Sequence, residues 1–311
     1  MNIKSSTDLK ENSRAAYIKY IAALLLFGSN GIVANFIHIE SYQIILMRTF
    51  LGSLLLLILA TGKHVLSGLL TKRKDFMYVA LSGICMGTSW MFQYEAYRQI
   101  GISITSLLYC LGPIFTVLLA QFIFQERITL KKILCLAAVS CGAILTGGLS
   151  LKQGANAIGI LCALLCALAY VGMIMFNKKN QTIIGLSNSI VQLVFGFLTA
   201  LIYNLGRWIS SSAPAIHLSA GEWVPVLILG LVNTGIGCYL YFSSISEIPA
   251  QTIAVCDYIE PLSAVILATL ILREKMSYLQ YVGAFMIIVG TIVWNIKLWR
   301  QKMTSVLKYQ P

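Results

Sequence analysis

The stretch Asp257-Tyr258-Ile259-Glu260-Pro261 opens an apolar run that ends at Leu272-Arg273-Glu274. It has the outline of one membrane-crossing helix with two acids and a proline near its middle. Ionisable side chains at that depth are costly, and they mark function by default. The same outline occurs earlier: Tyr109-Cys110-Leu111-Gly112-Pro113, an apolar run, then Gln125-Glu126-Arg127. Pro113 and Pro261 lie 148 positions apart, as do Glu126 and Glu274, and Gly142 and Gly290. Gly87 and Gly235, Ile100 and Ile248, and Ala120 and Ala268 keep the same offset. Two unrelated apolar segments would share leucines and isoleucines by chance, but not this joint register of proline, glutamate and glycine. The chain contains an internal repeat.

Composition sets the solvent. Of 311 residues, 58% are hydrophobic and 11% charged, with a mean hydropathy of +0.80. Soluble domains carry about 25% charged residues, so these values specify an integral membrane protein. The net charge of +12 is scattered over short connectors. It reads as topology determinants and anionic-lipid contacts, not as a nucleic-acid surface. The eight cysteines fall inside apolar runs without a CxxC pair, as small buried hydrophobes do. His38, His64 and His217 all lie in connectors, so no metal site is expected. The first apolar run is long and lacks a small-residue cleavage site, which reads as a signal anchor.

Ten apolar runs follow a polar segment at 1–16: 18–37, 42–61, 76–97, 101–123, 130–149, 156–177, 186–206, 223–246, 250–272 and 278–298. Each is near the roughly 20 residues that cross about 30 Å of hydrocarbon. Helices are required because a span in lipid must satisfy its own backbone hydrogen bonds. If the N-terminus is cytoplasmic, seventeen of the 23 Lys and Arg fall in inside segments. Five (Arg98, Lys152, Arg207, Arg273 and Lys275) fall outside, and Arg48 lies within a span. That bias puts both termini inside. Each repeat then holds five spans, an odd number, so the second is inverted relative to the first. The expected architecture is all-α: ten transmembrane helices in two inverted five-helix repeats, 17–149 and 150–298, with cytoplasmic tails at 1–16 and 299–311. Inverted repeats are a feature of secondary transporters, whose sites lie near the midplane between the halves.

The chain resembles the drug/metabolite transporter superfamily, specifically its ten-span EamA type. The residues that carry the resemblance are Phe27-Gly28-Ser29-Asn30, Arg48-Thr49-Phe50, Gly112-Pro113 with Glu126, and Ile259-Glu260-Pro261 with Glu274. The resemblance implies a carrier of small metabolites, often an exporter, in the inner or plasma membrane. It leaves the substrate open among amino acids, other metabolites and cationic drugs.

Asp257 and Glu260 are three apart and would share a helix face. Their repeat mates, Tyr109 and Gly112, are not acidic, so the two acids look like site residues and not architecture. They are the candidate proton-coupling or substrate-ammonium groups. A structural reading of Glu260, capping backbone freed by Pro261, stays open beside this. Arg48 is the basic residue inside a span, at a depth within about 5 Å of Glu260 by helical rise. It could contact a substrate carboxylate, or snorkel to the outer surface. Trp90, Tyr94, Tyr109 and Tyr239 are candidate walls for an apolar or aromatic substrate. Tyr97 and Tyr20 read as an interfacial belt. Asn30, Gln93, Gln192 and Asn233 are further polar residues at depth, for the site or for helix packing.

No phosphate-binding glycine loop or other cofactor signature occurs. An enzyme would need a nucleophile, base or metal set at one depth, and none is legible. A receptor would carry a sizeable soluble output module. The expected function is a non-ATP transporter of a small amphipathic metabolite, first an amino acid, with protons as the candidate coupling ion, working as monomer or homodimer. The alternatives are a cationic-drug exporter and a channel or scramblase.

Overall fold

The computed structural model describes residues 6–61, 72–112, 156–210, 215–244, 256–257 and 259–290, with single positions at 69, 115, 134, 137–138, 141–142, 145 and 293. The expected span 130–149, the later part of 101–123, the start of 250–272, and Pro113, Glu126 and the C-terminal tail lie outside the described residues.

The described residues form helices and no strand. They are α1 (Ser6–Gly28), α2 (Asn30–Ala34), α3 (Ser41–Ala60), α4 (Arg73–Ile100), α5 (Ile102–Tyr109), α6 (Ala157–Lys179) and α7 (Gly185–Ile209). Then follow α8 (Ala220–Ser244), α9 (Ile259–Ile271) and α10 (Tyr278–Gly290). Five stretches are long and apolar enough to cross a membrane: Ala15–Ala34, Ser41–Ala60, Ala157–Lys179, Gly185–Ile209 and Ala220–Ser244. The more polar α4, at 28 residues, extends about 42 Å at 1.5 Å per residue. The helix ends have chemical causes. Glu40 and Gln43 form a capping box at the start of α3. The Asn156 side chain accepts the Ile158 amide at 2.9 Å and starts α6. Lys178 and Lys179 close α6, where cations favour the helix dipole.

Burial is inverted relative to a soluble protein. Ile202, Leu270 and Phe285 are 70%, 73% and 67% exposed, as lipid-facing side chains are. Arg48, Thr49, Gln192 and Asn233 are buried.

Connectors meet in two rims. On one, Glu222 accepts the His38 amide at 2.6 Å, and Arg98 pairs with Glu40. On the same rim Asn156 donates to Gln99 at 3.0 Å, and the Arg207 guanidinium lies over the Tyr42 ring at 5.3 Å. The Glu274 carboxylate accepts the amides of Ile102 and Ser103 at 2.8 and 2.9 Å, capping α5 across the bundle. The α4–α5 turn beneath it needs Gly101, whose φ of +82° a side chain rarely adopts. On the other rim, Asp75 accepts the Thr182 amide at 3.0 Å and the Thr182 hydroxyl. These contacts fix helix directions. α1, α4, α7 and α9 end at the Glu222 rim, while α3, α6 and α8 start there.

Helix crossings also come in pairs. α4 crosses α7, where a Cβ added at Gly87 would lie 2.8 Å from the Gly196 carbonyl oxygen. α8 crosses α3, where a Cβ at Gly52 would lie 3.2 Å from the Gly230 carbonyl oxygen. Likewise α4 packs on α6 and α8 on α1, and α5 packs on α6 and α9 on α1. Small residues at such crossings let helix backbones approach closely in lipid.

Candidate functional site

Where α1, α4, α6, α8 and α9 converge, a chamber of ≈430 Å³ lies between side chains. Trp90, Ser89 and Met86 reach it from α4, and Tyr170 and Met173 from α6. Tyr241, Phe242 and Cys238 come from α8, Phe27 from α1, Tyr109 from the end of α5, and Glu260 from the first turn of α9. An apolar, aromatic lining with a few convergent polar groups is the usual character of a small-molecule site.

Glu260 owes its place to two local features. Pro261 has no N–H, so the helical bond back to the Asp257 carbonyl cannot form, and α9 begins only at Ile259. Gly28 brings α1 against this turn: a Cβ there would lie 2.8 Å from the Glu260 carbonyl oxygen. The same break corrects the expectation that Asp257 and Glu260 share one helix face. Asp257 sits in a turn ahead of α9 and faces a different set of partners.

Those partners are tyrosines. The Asp257 carboxylate accepts from the Tyr20 hydroxyl and from the Tyr170 hydroxyl at 3.3 Å. Tyr20 stacks on Tyr241 with ring centroids 5.2 Å apart. Tyr109 meets Tyr170 edge-on at 5.0 Å. This tyrosine cage bounds the chamber on the side of the Asp75 rim. Tyr20 is fully buried, which corrects its expected place in an interfacial belt; Tyr97 is half-buried and packs on Tyr94 at 5.4 Å.

On the opposite side, toward the Glu222 rim, lies Arg48. It does not snorkel: it is 1% exposed. Its Nε donates to Thr234 Oγ1 at 2.7 Å and its Nη1 to the Tyr94 hydroxyl at 2.6 Å. Its guanidinium lies 4.4 Å from the centroid of the Trp90 ring, the ring that also walls the chamber. Thr234 is set by a π-helical segment, Ile228–Ile236, and donates to the Leu229 carbonyl five residues back at 2.7 Å. Short π segments inside helices are frequent at functional sites.

Two expected site residues are placed elsewhere. Tyr239 is 36% exposed on the outside of α8, while Tyr241, two positions on, faces the chamber. Asn30 is buried between helices, where Asn233 donates to its Oδ1 at 3.1 Å and to the Leu26 carbonyl at 2.9 Å. Sequence reasoning missed Tyr20, Tyr170 and Tyr241; the one signal for Tyr241 was that its repeat mate, Gln93, is also polar.

A multi-helix membrane protein with a polar chamber inside its bundle is the class that fold and site define. The chain belongs to the EamA-like transporter family, whose model matches residues 14–148 and again 157–296. It is 24% identical over 297 residues to "Uncharacterized transporter YxxF" of Bacillus subtilis (strain 168), covering 92% of this chain and 90% of that one. It is 23% identical to "Riboflavin transporter ImpX" of Fusobacterium nucleatum subsp. nucleatum, covering 77% and 83%. The "Biotin transporter" of Salmonella typhimurium is 20% identical, with 84% and 85% covered. A solved structure titled "Crystal structure of protein" superposes with a TM-score of 0.64 at 19% identity, over 93% of this chain and 99% of that one. That likeness shows the fold alone.

Proposed function

We propose that the chain is a secondary transporter that moves a small amphipathic metabolite by alternating access, through ten spans in two inverted five-helix halves. The observation that carries this reading is the chamber itself, enclosed by helices of both repeats and bearing Glu260, with Asp257 and Arg48 on its two sides. Helix directions support the inversion. α1 runs toward the Glu222 rim and its mate α6 away; α3 and α7, and α4 and α8, are opposed in the same way. The paired family match supports the two halves. Lys72, Arg73, Lys74, Lys178 and Lys179 gather at the Asp75 rim, which supports a cytoplasmic placement of that side and of both termini.

The first substrate reading is an amino acid moved outward across the inner or plasma membrane. Coupling is to protons through Asp257 and Glu260, or to the substrate gradient alone. The riboflavin and biotin relatives extend the set worth testing to ring-bearing metabolites. Glu260 and the aromatic walls favour a cationic-drug exporter as the second reading. The test is counterflow in proteoliposomes. A carrier preloaded with unlabelled substrate accelerates uptake of the labelled molecule and saturates; flux that is linear in concentration and indifferent to preloading indicates a channel or scramblase instead.

A further inference from the structure

We propose that Arg48 and Tyr94 form an anion seat, and that the transported molecule carries a carboxylate that docks there against the face of Trp90. This rests on the carrier reading above and narrows its substrate class. A guanidinium has five N–H donors and is charged at any physiological pH. Here it is 1% exposed, and its two hydrogen-bond partners, Thr234 and Tyr94, are both neutral hydroxyls. Nη2 is buried without a partner. Among the described residues no carboxylate forms an ion pair with it. Burying a charge without a counter-charge is expensive, and cation–π contact with Trp90 and Tyr94 offsets only part of that cost. A purely structural arginine would have its charge matched by the protein.

The neighbours are arranged to receive an anion. Thr234 gives its proton to the Leu229 carbonyl, so its oxygen can only accept from Arg48. The Tyr94 oxygen likewise accepts from Nη1, which leaves the Tyr94 hydroxyl proton to donate. Nη2 and that proton are two donors of the kind a carboxylate binds, and charge-assisted bonds of this type are the strong ones. Glu260 and the Asp257 cage lie across the chamber. A molecule held by Arg48 therefore presents its other end to acids, which suits an amine or a neutral donor and repels a second carboxylate.

The full chain in nanodiscs is tested with matched probes. These are phenylalanine, 3-phenylpropionate (acid without amine), phenylethylamine (amine without acid) and phenylalanine amide. Counterflow of each in proteoliposomes accompanies thermal stabilisation. We expect the two acids to stabilise the protein and the two non-acids to be weaker by on the order of tenfold or more. In Arg48→Gln the difference should vanish, while the ligand-free protein melts no lower than wild type, because an uncompensated buried charge has been removed. In Tyr94→Phe acid binding should weaken while the amines are unaffected. The seat is overturned if acids and their amides bind alike, if no probe gives an acid-dependent shift, or if Arg48→Gln keeps the preference. It is also overturned if Arg48→Gln and Arg48→Met both melt well below wild type, which would make the arginine structural. Equal counterflow of acids and amines would sink the seat alone; absence of counterflow with every probe, and with riboflavin and biotin, would sink the carrier reading.

Discussion

Tyr109 and Asp257 occupy the same position in the two repeats, and they meet on one side chain. The Tyr170 hydroxyl donates to Asp257 at 3.3 Å, and Tyr109 packs edge-on against the Tyr170 ring at 5.0 Å. The repeat supplies two equivalent backbone positions beside one tyrosine. The sequence fills one with an aromatic ring and the other with an acid. The chamber is therefore built symmetrically and lined asymmetrically.

Replacing Asp257 with asparagine keeps an acceptor for Tyr20 and Tyr170 and removes the charge. A neutral acceptor weakens each bond by about 1 kcal/mol. We expect a modest drop in melting temperature and loss of most counterflow in proteoliposomes. Wild-type transport by Asp257→Asn would remove the acid from the mechanism.

Tyr239 and Tyr241 are two residues apart and lie on opposite sides of α8. Tyr241→Ala should cut transport sharply, since its ring both walls the chamber and stacks on Tyr20. Tyr239→Ala should transport near the wild-type rate, measured at matched protein density. The reverse ranking would mean that α8 is rotated relative to the described arrangement.

The paired glycine crossings differ in what surrounds them. An added Cβ at Gly87 meets the Gly196 backbone at 2.8 Å, whereas one at Gly235 meets the tip of the Leu55 side chain at 2.8 Å. A flexible side chain can move aside and a helix backbone cannot. Gly87→Ala should cost about 1–3 kcal/mol and Gly235→Ala less, read from thermal denaturation in detergent. Equal costs would argue against the close α4–α7 approach.

Asp75 sits on its rim ahead of the apolar run at 76–97. The Thr182 hydroxyl, then the Gln181 and Thr182 amides and nearby Lys72, hold its carboxyl below the ordinary value of 3.8. A depressed value in the folded state means stability that is present above pH 3.8 and lost as pH falls below it. The melting-temperature gap between wild type and Asp75→Asn should be constant at neutral pH and close on acidification below that point. A gap that ignores pH would show that Asp75 contributes nothing through its charge.

The repeat, the helical class, and the importance of Arg48, Trp90, Tyr94, Tyr109, Asp257 and Glu260 were all legible in the sequence. Glycines, prolines and intramembrane charges are rare enough in an apolar chain to stand out. Direction around a helix was harder to read. Tyr20 follows Lys19, so it looked interfacial, because position along a span gives depth and not facing. Tyr170 lies in an apolar run with no polar neighbour to flag it. Tyr239 was chosen over Tyr241 because the wider turn upstream, at Ile228–Ile236, rotates everything that follows it relative to a regular helix. Asn30 was read as polar at depth, correctly, but a bond to Asn233 satisfies it as well as a ligand would.

That wider turn makes residue count a determinant of recognition. In Ile228–Ile236 each bond spans one residue more than in an α-helix. Deleting a single residue there would let the helix relax to its ordinary winding and swing Thr234 by about 100°. Arg48 would lose its Nε partner although no side chain that touches it had been altered. In this bundle a one-codon change in length can act on the binding chemistry as directly as a substitution.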